Sequence, residues 1–192
     1  MFGFGRKKDL KEMTDVIDQS LTMTFFFMND IQELLFNELD LDFKNDEKLI
    51  KEIVVAYHCF SSFMIECSVA AVKDKSAQNE LFDYLIENTY SFRGLERMFV
   101  LKNEAKSINI DKSFQPFAIK VTNHFRNNFT KFPINKEIPE QGYCYMNTKL
   151  IQELIGGERT QKQNDLIYQI SAVVCKHALL PSIVAFMNIN NQ

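Results

Sequence analysis

Residues 53–72, Ile-Val-Val-Ala-Tyr-His-Cys-Phe-Ser-Ser-Phe-Met-Ile-Glu-Cys-Ser-Val-Ala-Ala-Val, carry a single formal charge, Glu66, in twenty positions. Twenty residues of mainly apolar character match the length of a membrane-spanning helix and equally that of the central helix of a bundle. Eight Ile, Val and Phe residues favour insertion by roughly 2–5 kcal/mol in total, and a carboxylate near the middle cancels about 2.5 kcal/mol or more of it. His58 and three serines push the same way, and the ends lack an aromatic belt or a one-sided basic cluster. The stretch therefore reads as a buried helix, and no transmembrane segment is expected. Extended in register, Lys48, Glu52, Val55, Cys59, Ser62, Glu66, Ala70 and Lys73 fall at steps of three and four. They form one narrow polar and small stripe on an otherwise apolar helix.

Outward from this helix the pattern stays helical. Leu10, Met13, Ile17, Leu21, Met28, Ile31 and Leu35 recur at helical spacing between Asp9 and Leu39, which predicts one long helix or two joined at Phe25-Phe26-Phe27. Residues 1–8 read as a frayed end, with neither a signal-peptide core nor a myristoylation glycine. Residues 37–46 are polar, and Asn45 or Asp46 can cap the central helix. A third helix is expected to start at Ser76, bury Leu81, Leu85, Ile86, Phe92 and Phe99, bend at Gly94 and fade near Lys106. Ser113 opens a fourth, with Pro116 in its first turn, that breaks at Pro133.

Residues 133–146, with Pro133, Pro139 and Gly142, read as a long irregular connection in which Tyr143-Cys144-Tyr145 is briefly extended. A short helix from Asn147 to Ile155 stops at Gly156-Gly157, and Thr160 with Gln163 forms a capping box for a last helix that Pro181 kinks or ends. The expected fold is an all-α, single-domain bundle of about six helices over residues 1–192.

Several chemistries lack their residues. No histidine has a glutamate three positions before it, as a di-iron bundle requires, and HExxH, GxSxG, Walker A and GxGxxG patterns are all missing. The run from Asp40 begins like a calcium loop, but Lys44, Asn45 and Lys51 occupy its fifth, sixth and twelfth positions. Cys59, Cys67, Cys144 and Cys175 show no zinc spacing, so they read as thiols of a reducing, cytoplasmic setting. His58, His124 and His177 are the candidate haem ligands, with no further pattern behind them, and no cofactor is expected. His177 follows Ile170, Val173 and Val174 and is expected in or beside the core.

Charge is the better guide to function. Residues 1–72 hold 7 basic and 13 acidic side chains, whereas residues 73–192 hold 15 and 12. Asp30 to Glu52 alone has 8 acidic against 3 basic residues, which makes Glu38, Asp40, Asp42, Asp46 and Glu47 a candidate patch for a basic partner. No acidic residue occurs from Lys112 to Lys136, so Lys112, Lys120, Arg126, Lys131 and Lys136 form a candidate basic face. Phenylalanines interleave with these cations at core spacing, and the pI of 5.7 opposes nucleic-acid binding.

The expectation is a non-enzymatic cytoplasmic protein that binds a protein partner or its own copies, as an adaptor, regulator or neutralising inhibitor. The alternative is an apolar small ligand held in a Phe- and Met-lined pocket, anchored by Cys59, Ser62, Glu66, His58 or His177. Haem, metal or enzymatic chemistry ranks third.

Overall fold

The computed structural model describes residues 3–70, 72–89, 96–101, 106–128 and 140–190. Six helices make up 81% of it beside a single two-stranded sheet, so the fold is all-α in its essentials. The helices are α1 (Gly3–Glu38), α2 (Glu47–Val69), α3 (Lys75–Thr89), α4 (Gln115–Asn128), α5 (Glu140–Ile155) and α6 (Gln161–Asn190). The strands β1 (Arg97–Leu101) and β2 (Lys106–Ile110) sit between α3 and α4.

The apolar stretch that suggests a span is α2, the post around which the rest packs. Sixteen of its residues, from Ile50 to Val69, are buried, and α1, α3, α4, α5 and α6 all touch it. A helix that is apolar nearly all round needs such neighbours, and five helices supply the covering that lipid would otherwise give. By length and composition alone α2 could cross a membrane.

The helix ends follow their side chains. Asp46 stands at the N-cap of α2, but its Oδ2 accepts the Asp42 N–H at 2.8 Å instead of capping the helix. Asp74, and not Ser76, caps α3 by accepting the N–H groups of Ser76 and Ala77. Gly156 and Gly157 take φ of +69° and +71° and end α5, a left-handed turn for which glycine carries no steric penalty. Thr160 and Gln163 form the reciprocal capping box, N–H to Oε1 at 3.0 Å and N–H to Oγ1 at 3.2 Å.

Four expectations need correction. The third helix stops at Thr89, and Phe99 belongs to an antiparallel hairpin in which it faces Ile108 across the strands. Phe99 and Leu101 on β1, and Ile108 and Ile110 on β2, point into the core while Val100, Ser107 and Asn109 face out. That period of two is too short to survive against the longer helical pattern upstream. Ile86, expected inside, is 48% exposed; Phe92 lies outside the described residues. The supposedly irregular 133–146 is already helical from Glu140, because Cys144, Asn147, Thr148 and Ile151 recur on one buried face and Gly142 falls in the tolerant first turn. Finally, the last helix does not end at Pro181 but continues to Asn190, and α1 is described from Gly3 onward.

Candidate functional site

The stripe on α2 meets its counterpart on α4. Cys59 Sγ donates to the Ala118 carbonyl at 3.7 Å. Two turns farther along each helix, Glu66 receives Arg126 in a two-pronged contact, Nε at 2.9 and 3.1 Å and Nη2 at 2.8 Å. Residue numbers rise together on the two helices, so α2 and α4 run parallel, and α3 with the hairpin provides the crossover that parallel neighbours require. The buried side chains here are small, Cys59 and Ser62 on α2 and Ala118 and Thr122 on α4.

The candidate pocket anchors do not share one environment. Burial pushes the Cys59 thiol up to about 12, well out of the range of a thiolate nucleophile. Ser62 Oγ donates to the His58 carbonyl one turn back at 3.0 Å. His58 is buried with its ring 4.9 Å from that of Phe25. His177 is the opposite of what its neighbours suggest: it is exposed on α6, its ring 6.1 Å from Phe27. His124 is half-buried beside Phe125. Among the described residues, no three His, Cys, Asp or Glu side chains gather into a group able to hold a metal.

The acidic patch is divided between structural and outward-facing groups. Asp42 accepts the Lys44 N–H at 2.8 Å and the Asn45 amide at 2.5 Å, and with Asp46 it pins the turn after α1. Asp40 sits in that turn at φ 56°. Glu47 is held between Lys51 at 2.9 Å and Lys106 at 3.2 Å, and those two contacts draw its pKa below the ordinary carboxylate value. Glu38 meets Lys162 at 2.6 Å while its carbonyl accepts Gln163 Nε2, tying the end of α1 to the start of α6. On the basic side, Lys112 and Lys120 are exposed, Arg126 is committed to Glu66, and Lys131 and Lys136 lie outside the described residues.

The outward face of α1 is the surface that sequence reasoning passed over. Met23, Phe26 and Leu34 are 46%, 61% and 60% exposed along it. Asp30 and Glu33 lie among them, and these two with Leu34, Asn37 and Glu38 line an open cleft of about 520 Å³. The available signal was Phe25-Phe26-Phe27. Three consecutive residues sweep 200° of a helix, so no rotation of α1 buries all three rings.

No protein-family model matches the chain, and no curated protein or solved structure matches it either.

Proposed function

We propose that this protein works without chemistry of its own, by holding a basic partner against the outward face of α1. The observation that carries this reading is the exposure of Met23, Phe26 and Leu34 in line with Asp30 and Glu33 on one helix. Apolar side chains that leave a core on the solvent face of a long helix are suited to anchoring a partner, and carboxylates between them select basic surfaces and speed encounter. At 1.5 Å per residue, the face from Met23 to Glu38 offers a track of about 22 Å, some four helical turns. That length suits a helix laid alongside better than a small molecule.

Adaptor, regulatory subunit and neutralising inhibitor all use such a surface. The second reading, a ligand anchored on the α2 stripe, is less well supported, because Cys59 and Ser62 are spent on contacts with α4 and with α2 itself. A reducing compartment such as the cytoplasm suits four cysteines of which none is disulfide-bonded.

The test uses a labelled amphipathic helical peptide of Leu and Lys as probe, followed by fluorescence anisotropy. Binding is expected to weaken as salt is raised, to fall on Phe26→Asp with Leu34→Asp, and to be absent for the matching Leu/Glu peptide. Equal binding by wild type and the double variant would remove this face from consideration.

A further inference from the structure

A second surface, independent of the α1 reading, has the makings of a ligand site. Helices α5 and α6 are joined by the short turn at Gly156-Gly157 and run antiparallel. Each presents one stripe to the groove between them. Tyr145, Lys149 and Gln152 lie on α5 at i, i+4 and i+7, and Gln161, Asn164, Asp165 and Tyr168 on α6 at i, i+3, i+4 and i+7. The stripes meet head to tail, so the two tyrosines pair at one end of the groove and the amides at the other. Together they line a cleft of about 380 Å³, within the range of small-molecule sites.

We propose that this cleft binds a neutral saccharide. Three features of the cleft select that ligand. The first is a half-free aromatic face: the Tyr145 ring lies 4.8 Å from that of Tyr168 at 39°, yet Tyr145 remains 55% exposed. One side of the ring is supported and the other is open to the C–H face of a pyranose.

The second feature is the balance of donors and acceptors. Gln152 Nε2 donates to Asn164 Oδ1 at 2.7 Å, which leaves Gln152 Oε1 to accept and Asn164 Nδ2 to donate, side by side. Gln161 Nε2 donates to Asp165 Oδ1 at 2.6 Å and leaves an acceptor on each, with Lys149 a donor in the same lining. Adjacent donors and acceptors suit vicinal hydroxyls, each of which does both. A polyproline peptide presents mainly carbonyl acceptors and would use only half of them.

The third feature is charge. Among the described residues, Lys149 and Asp165 are the only charged side chains lining the cleft, and they are opposite in sign. With one charge of each sign, the cleft offers a phosphate as much repulsion from Asp165 as attraction to Lys149, whereas an uncharged polyol needs no net charge from it. The site is also fixed in advance: the amide bonds hold the rotamers, and the capping box at Thr160 and Gln163 fixes the start of α6.

The experiment is a ¹H–¹⁵N NMR titration of the intact chain. The probes are cellobiose, maltose, lactose, chitobiose and mannobiose in the millimolar range, with adenosine monophosphate and a proline-rich peptide as competing chemistries. The expected result is saturable shifts at Tyr145, Lys149, Gln152 and Asn164 with at least one disaccharide. Tyr145→Ala should weaken that affinity by about tenfold, the worth of one aromatic contact, while Tyr145→Phe keeps it. Asn164→Ala, read in the same way, removes a donor without touching the rings and should also weaken binding. Tyr145 is exposed enough that its truncation leaves the core intact, which circular dichroism checks. The proposal is overturned if none of the disaccharides shifts these residues, if both variants bind as wild type does, or if only the nucleotide or the peptide occupies the cleft. The α1 proposal stands or falls separately, since no residue is shared between the two surfaces.

Discussion

Cys59, Glu66 and Phe125 behave differently because each meets different neighbours. Cys59 is fully buried with a raised pKa, and Cys67, half-covered, is likewise raised to about 12, chiefly by burial. Native protein at pH 8 should therefore resist iodoacetamide at both, whereas four alkyl groups add after denaturation; mass spectrometry of labelled peptides checks this, and rapid native labelling of Cys59 would contradict the packing of α2 on α4. Phe125 stacks on Phe63 at 5.7 Å and tilts against Phe60 at 5.6 Å. Its truncation to Ala should cost about 3–5 kcal/mol in urea unfolding. Arg126→Ala should cost far less, about 1 kcal/mol or under and less still in high salt, because the ion pair is partly exposed even though its geometry is good. At this scale the sequence was half legible. The spacing placed Glu66 on a stripe with Cys59 and Ser62, but the partner sixty residues away had been assigned to a separate basic face. Helical periodicity reports which face a residue is on and says nothing of which helix arrives there.

Among the elements, the hairpin shows how an exposed strand edge is satisfied. The Val100 N–H and C=O point away from β2, and α1 supplies both partners: Asn29 Oδ1 accepts at 2.9 Å and Gln32 Nε2 donates at 2.5 Å. Two side-chain amides of a helix thus stand where a third strand would pair, which blunts the edge against intermolecular pairing. Gln32 is buried, so Gln32→Leu leaves the Val100 carbonyl without its donor and should cost about 1–3 kcal/mol; hydrogen exchange at β1 should quicken with it. Glu47 joins the first turn of α2 to β2 through Lys106. Its pKa is lower folded than unfolded, so its contribution is complete above the ordinary carboxylate range and is lost as pH falls through the folded value. Glu47→Gln should accordingly flatten the acid limb of the stability curve by a small amount, as expected of an exposed pair. The capping box and the glycine stop could be read from sequence because those motifs act within four residues. The hairpin could not, because its alternation in Ser107-Ile108-Asn109-Ile110 is short and its fixing partners lie seventy residues upstream.

For the whole molecule, the decisive fact is how completely α2 is enclosed. Five helices cover it, so the features that first suggest a span or a pocket become the centre of the bundle. The surfaces proposed above therefore lie outward, on α1 and in the α5–α6 groove. The all-α class was legible from composition and periodicity, since burial of one apolar helix demands several amphipathic ones. The outward face of α1 was not, because an apolar residue in a helical run reads as core until the neighbouring helices are known to leave it bare. The claim that this face holds a basic partner is tested most directly by placing a photo-crosslinking amino acid at position 26 in cells, with position 86 on α3, also an exposed apolar site, as control. The account predicts a discrete adduct from position 26, a basic protein by mass spectrometry, lost when Asp30 and Glu33 are changed to Lys, and none from position 86. Adducts at both positions alike, or one at position 26 that survives the charge reversal, would contradict it.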